Sequence, residues 1–299
     1  MVMSKSTASI ASAPLAGGAL LPGLLWGLLA VGIWAGSFVL LRLGVATSLN
    51  PYDVTALRFA TAALVLAPLV WRRGWALASL GWRGVALAVT GAGAPYALLV
   101  AAGLQYAPAG HAAALIPGLT AVFTAIFGYW FLKEPITALA WAGTAMILGG
   151  TVAIGGRGAS IGLGLFVLAA LLWSSYVILL RRTALDSLHA VAIVAVGSAL
   201  VYLPVYIALF PKAVWSAPAG DMVLQALYQG LLTTIAGLFA FNRAVSSLGA
   251  ARGAALAALI PVSTLALAAI FLGERPGAWE LGAALLIGTG VVLVTFSRR

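Results

Sequence analysis

Arg58 is a guanidinium inside an apolar run of the chain, and an arginine at such a place costs about 2.5–3.5 kcal/mol if the run lies in lipid. It either snorkels outward, pairs with another helix, or faces a cavity and holds a carboxylate. Asp53, five residues earlier, points to a different side of a helix and makes no local pair with it. Trp34 and Trp173 lie near the middle of apolar runs, whereas Trp26, Trp71, Trp75, Trp82, Trp130, Trp141, Trp215 and Trp279 lie toward run ends, where interfacial belts collect tryptophan. On a helix Trp34 shares a face with Ser37 and Phe38, and Trp173 with Tyr176 and Val177. Such faces either pack helices together or give a cavity aromatic walls suited to an amphipathic metabolite. His111 is either a proton-sensitive group or a hydrogen-bonded packing histidine. The expected substrate-binding set is Trp34, Ser37, Phe38, Arg58, Tyr96, His111, Trp173 and Tyr176.

Three prolines inside apolar runs, Pro95, Pro117 and Pro261, are candidate hinges. Each removes a backbone donor and frees a carbonyl one turn earlier. In lipid that carbonyl must find a neighbour, a water or a ligand. The alternative is a plain bend that aids packing. Gln105, Tyr228, Gln229 and Asn242 are further neutral polar groups whose faces the sequence leaves open.

The elements that position these residues follow from composition. The chain is 63% hydrophobic and 7% charged, with a mean hydropathy of +1.12, against about a quarter charged in a soluble domain. Its solvent is therefore lipid. The net charge of +10 sits singly or in pairs between apolar runs, so nucleic acid, which needs clustered exposed cations, is excluded as a partner. The chain has no cysteine, two histidines and six scattered acids, which supply neither a metal site nor a nucleophile–base pair. No cofactor is expected, and no phosphate loop of the GxxxxGK[ST] kind occurs.

Ten apolar runs are long enough to be spans: 20–43, 52–71, 84–106, 109–132, 137–155, 161–181, 189–210, 222–246, 251–272 and 277–296. Residues 1–17 read as a disordered polar tail, and the first span reads as retained, because its small residues precede the apolar run where a cleaved signal places them after it. With a cytoplasmic N-terminus, eleven basic residues fall at inner ends against four (Arg42, Arg157, Lys212, Arg275) at outer ends, a positive-inside pattern. Both termini are then cytoplasmic.

The chain repeats itself. Trp34 to Arg42 reads WAGSFVLLR and Trp173 to Arg181 reads WSSYVILLR, 139 positions later. Ala113-Ala114-Leu115-Ile116-Pro117 recurs as Ala257-Ala258-Leu259-Ile260-Pro261. Phe131-Leu132-Lys133-Glu134 is answered by Phe271-Leu272-Gly273-Glu274, and the glycine spacing of Gly143 and Gly149 by Gly282 and Gly288. These three further landmarks, in one order, indicate a duplication, with halves at 18–156 and 157–299. Five spans per half put the second copy in the membrane upside down, the inverted-repeat arrangement of many secondary transporters. The expected fold is an all-α integral membrane protein of ten transmembrane helices in two inverted five-helix repeats.

The stretch from Pro261-Val262-Ser263-Thr264 to Phe271-Leu272-Gly273-Glu274, followed by a glycine-spaced last helix, resembles the signature of the EamA family in the drug/metabolite transporter superfamily. The copy from Pro117 to Glu134 is similar but four residues longer before its Phe-Leu. Within that superfamily the chain looks most like the YddG-type amino acid exporters. The resemblance implies a ten-span carrier of small metabolites in the cell inner membrane, exporting amino acids, including aromatic or other hydrophobic ones. The glutamate that short multidrug relatives carry in their first span is absent here. A carrier of nucleotides, vitamins or nucleotide sugars is the alternative, with a channel or an intramembrane enzyme last. The partners implied are a small substrate and the lipid bilayer. The fifth and tenth spans look like structural or dimer-contact helices, leaving homodimer and monomer equally open.

Overall fold

The structure is a computed structural model that describes residues 20–155, 161–183, 185–248 and 256–296. The polar tail expected over 1–17 and the loop charges Lys5, Arg157, Arg252, Arg298 and Arg299 lie outside the described residues. Among the described residues every regular element is helical. In chain order these are α1 (Leu20–Thr47), α2 (Pro51–Arg73), α3 (Leu77–Ala92), α4 (Ala94–Tyr106), α5 (Ala109–Leu132), α6 (Ala138–Gly155), α7 (Ile161–Arg182), α8 (Ser187–Leu209), α9 (Ala219–Gln225), a π-helical segment (Ala226–Ala236), α10 (Gly237–Leu248), α11 (Ile260–Phe271) and α12 (Ala278–Phe296). Eight helical stretches are long and apolar enough to cross a membrane, with α3 and α4 counted as one stretch, and α6 and α11 are shorter apolar helices.

Local chemistry sets the ends. Asn50 and Asp53 form a reciprocal capping box at the start of α2, with Pro51 in the first turn, and Asp186 caps α8 by accepting from the His189 N–H at 3.0 Å. Such caps satisfy amides that the first turn leaves open. The third span was expected to begin at 84. It begins at Leu77, because Gly81 (φ 62°, ψ 175°) joins a short helical turn onto it across a kink.

The two halves use one packing plan. α1 packs on α10 and the π segment as α7 packs on α3 and α4. α5 packs on α7 as α11 packs on α1, and α2 meets the π segment as α8 meets α3. The pairs α2–α8, α5–α11 and α6–α12 join equivalent helices of the two halves. In the α6–α12 pair, Gly143 and Gly290 lie back to back, so that a Cβ on either would come within 2.6 Å of the other's carbonyl oxygen. Small residues that admit close backbone approach are the main device for helix association in lipid. The contact joins Gly143 to Gly290 rather than to either of the repeated glycines, Gly282 and Gly288.

Equivalent elements also end alike. After α5 and after α11 a residue takes the left-handed conformation, Lys133 at φ 58° and Gly273 at φ 66°. The next amide then reaches back six residues, Glu134 N–H to Gly128 O at 3.2 Å and Glu274 N–H to Ala268 O at 3.3 Å. A left-handed residue is a common helix stop, and here the returning amide reaches one residue further back than in the Schellman form. It aims both glutamates at the opposite half: Glu134 binds Arg181, and Glu274 lies 3.7 Å from Arg42. Glu274 also approaches the N–H of Ala109, the first residue of α5, at 3.5 Å, whereas Glu134 follows the last turn of α5. The two ion pairs therefore sit at opposite ends of a 24-residue helix, about 36 Å apart along its axis.

Candidate functional site

Two discontinuities at equivalent places position the site. In the first half the helix breaks at Gly93 (φ −94°, ψ −145°) and resumes as α4 with Pro95 in its first turn. Pro95 offers no N–H to the Gly91 carbonyl. The Ala94 N–H is met by the buried Ser198 hydroxyl at 3.0 Å, and Gly93 has no room for a Cβ, because Ser198 Oγ and the Val89 carbonyl fill that space. In the second half the same place is the π segment, with no proline. Widened turns of this type recur at functional sites.

α1 lies against the π segment through a row of polar contacts. Ser37 Oγ donates to Gln229 Oε1 at 2.8 Å, and Gln229 Nε2 donates to the Ser37 carbonyl at 3.0 Å; Gln229 is fully buried. Tyr228 OH donates to the Ile33 carbonyl at 3.2 Å and Trp34 Nε1 to the Thr233 carbonyl at 3.4 Å. Trp34 also meets Phe241, with ring centroids 5.2 Å apart, and Phe38 packs beside it against Val31, Ala113 and Ile260.

The second group lies where α2, α4 and α7 converge. Tyr96 and Trp173 are 4.9 Å apart by centroid and tilted at 43°, and Trp173 meets Tyr176 edge-on at 5.6 Å. Arg58 lies close enough to Tyr96 for the two to interact electrostatically. Its guanidinium is 5.6 Å from the Phe59 ring, and its Nε is buried with no hydrogen-bond partner. Among the described residues no carboxylate lies within 4.0 Å of it. Asp53 is engaged elsewhere, accepting from Tyr206 OH at 2.6 Å and from the Ala213 N–H at 3.0 Å.

Arg58, Tyr96, Trp173 and Tyr176 thus form one cluster, and Trp34, Ser37 and Phe38 a second on α1. Tyr96 and Phe38 both border the central apolar core. His111 belongs to neither cluster. It lies in the first turn of α5, and its Nε2 is 3.0 Å from Glu280 Oε1, while the other Glu280 oxygen accepts from the Gly277 N–H at 2.7 Å. Pro117 lies inside a continuous α5, and Pro261 opens α11 directly after the turn at Ala258 and Leu259.

Sequence reasoning missed Thr120 and Thr264. Each hydroxyl is buried without a hydrogen-bond partner, and each stands three residues after a repeated proline, in Pro117-Gly118-Leu119-Thr120 and Pro261-Val262-Ser263-Thr264. That shared spacing was the signal. Gln225, whose Nε2 donates to the Leu40 carbonyl at 2.5 Å, carried no such mark.

A bundle of apolar helices that keeps unpaired polar groups inside is the architecture of a multi-pass membrane transporter. The chain matches the EamA-like transporter family twice, over residues 21–156 and 160–296, and belongs to it. A probable terminal-alkyne amino-acid exporter of Streptantibioticus cattleyicolor is 30% identical over 297 residues, with 92% of this chain and 95% of that one covered. A probable amino-acid metabolite efflux pump of Escherichia coli K12 is 28% identical over 287 residues, covering 91% and 94%. A protein of Archaeoglobus fulgidus described only as an uncharacterized transporter is 27% identical over 280 residues, covering 88% and 93%. A solved crystal structure with 23% identity superposes at a TM-score of 0.64 over 93% of this chain and 97% of its own, a likeness of fold. The chain is a transporter and not an enzyme.

Proposed function

We propose that the protein is a secondary carrier of the cell inner membrane that exports amino acids or similar small amphipathic metabolites by alternating access. Ten spans in two inverted halves, 18–156 and 157–299, with both termini cytoplasmic, would present one central site to each side in turn. The observation that carries this reading is the exchange of equivalent ion pairs, Arg42 with Glu274 and Arg181 with Glu134. Parallel repeats would put both pairs at one end, whereas these sit at the two ends of α5.

In this reading Arg58 holds a carboxylate, Trp173, Tyr96 and Tyr176 wall one side of the substrate, and Trp34, Ser37 and Phe38 wall the other. Pro95 and Pro261 act as hinges beside helix breaks, with Pro117 as a bend. His111 takes part as a cross-half contact to Glu280. The names of two relatives, an amino-acid exporter and an amino-acid metabolite efflux pump, support amino acids as the first class to try.

The experiment is flux in proteoliposomes across amino acids, nucleosides and vitamins. A carrier gives saturable flux and counterflow for at least one amino acid; linear, non-exchanging flux would mean a pore. Reporter fusions at both termini should read cytoplasm, and a C-terminus on the far side would sink the inverted arrangement.

A further inference from the structure

We propose that the species best suited to this site is a net monoanion, a hydrophobic or aromatic carboxylate whose amino group is absent or capped, and that the membrane potential drives it outward. The inference rests on the reading of Arg58 as facing the substrate path.

Charge accounting carries it. The chain has six acidic side chains, each in the first turn of a helix or just outside one, and each already engaged. Asp53 binds Tyr206 and Ala213, Glu134 binds Arg181, and Asp186 lies 3.5 Å from Arg73. Asp221 accepts from Ser48 at 2.6 Å, Glu274 pairs with Arg42, and Glu280 pairs with His111. No acid remains for Arg58. The Phe59 ring and the Tyr96 hydroxyl are neutral, so they soften its charge without cancelling it.

An uncompensated cation in a low-dielectric interior is expensive, and a partner of opposite charge relieves it. A zwitterion leaves the occupied site at +1 and adds an ammonium for which no acid exists. A dianion overshoots to −1. A monoanion brings the site to zero, and Tyr96, Trp173 and Tyr176 supply aromatic surface for the rest of the molecule. The same accounting supplies an energy source. The chain has no phosphate loop and no mid-span carboxylate to carry a proton, and a monoanion leaving an inside-negative compartment needs neither.

The test uses purified full-length protein in liposomes with a potassium diffusion potential set by valinomycin. The probes are N-acetylphenylalanine (monoanion), phenylalanine (zwitterion) and phenylalaninamide (cation). The anion should move away from the negative side and approach a gradient of about 100-fold at ~120 mV. Phenylalanine should move at least about tenfold more slowly, without response to potential. Arg58→Gln should abolish anion flux and Arg58→Lys should retain part of it. If Arg58→Gln does not fold, the voltage response of the wild type decides alone. Phenylalanine counterflow that equals or exceeds the anion's, with no effect of potential, overturns this inference and leaves the carrier reading standing. Absence of saturable flux for all three compounds overturns this inference, and the carrier reading falls with it only if the amino-acid, nucleoside and vitamin panel is silent too.

Discussion

Arg42 and Glu274 lie 3.7 Å apart across the junction of the two halves, and Arg181 with Glu134 repeats that relationship at the other end of α5. Each arginine closes its copy of the Trp-to-Arg repeat, and each glutamate closes its copy of the Phe-Leu-x-Glu repeat. Repeats usually repeat their internal contacts; here the contact is made between copies. Both pairs are partly exposed, and such pairs contribute about 0–1 kcal/mol. That suits a contact that would break in each cycle of the proposed alternating access.

Breaking one pair should therefore shift access without unfolding the protein. The chain has no native cysteine, so a single cysteine at Phe38, on one wall of the proposed site, reports its exposure to an impermeant thiol reagent. Glu274→Gln should raise labelling from the Arg42 side and Glu134→Gln from the Arg181 side, each by up to about fivefold, as ~1 kcal/mol allows. Equal changes from both sides in both variants would mean that the pairs serve stability alone.

The tryptophans should matter for affinity. Trp173→Ala removes the ring that touches both Tyr96 and Tyr176, and aromatic pairs contribute about 0.5–1.5 kcal/mol each beyond burial. Half-saturation in a flux assay should rise about tenfold while protein level holds, with Trp173→Phe intermediate. Trp34→Ala should act in the same direction. Full transport in both alanine variants would leave the rings as packing.

The Ser37–Gln229 pair should be asymmetric to mutation. Ser37→Ala leaves the fully buried Gln229 carbonyl without its hydroxyl donor, a loss of about 1–3 kcal/mol. Ser37→Ala with Gln229→Leu removes both polar ends and should recover most of the loss. Melting in detergent measures this; a double variant less stable than Ser37→Ala would refute the pairing.

Much of this architecture was legible in the sequence because duplication writes landmarks twice. The Trp-to-Arg stretches, the Leu-Ile-Pro repeat and the Phe-Leu-x-Glu stops could be aligned without knowing any contact. The face that each span turns inward was not legible. A span that is apolar all round carries no face signal, so nothing distinguished Tyr96 against Trp173 from His111 against Glu280. The π segment was hidden for another reason: Tyr228-Gln229-Gly230 has no proline or turn signature, and the segment packs on α1 and α2, far away in sequence. The Gly93 break was half visible, through Pro95, while the glycine itself is required by Ser198, 105 positions away. Thr120 and Thr264 were visible as a repeat but had no assigned task.

One difference between the two stops gives a stability prediction. Both helices end on a left-handed residue, but the first uses Lys133 where the second uses Gly273. A side chain in that conformation costs about 1–2 kcal/mol, while glycine takes it freely and loses about 0.4–1 kcal/mol through its greater freedom when unfolded. The difference favours Lys133→Gly by up to about 1.5 kcal/mol. The Glu134 amide should keep its bond to Gly128, and Glu134 its hold on Arg181. The melting temperature in detergent should rise by a few degrees with transport unchanged, and Gly273→Lys should lower it. A fall in stability for Lys133→Gly would mean that the lysine side chain contributes more at the membrane surface than its backbone conformation costs.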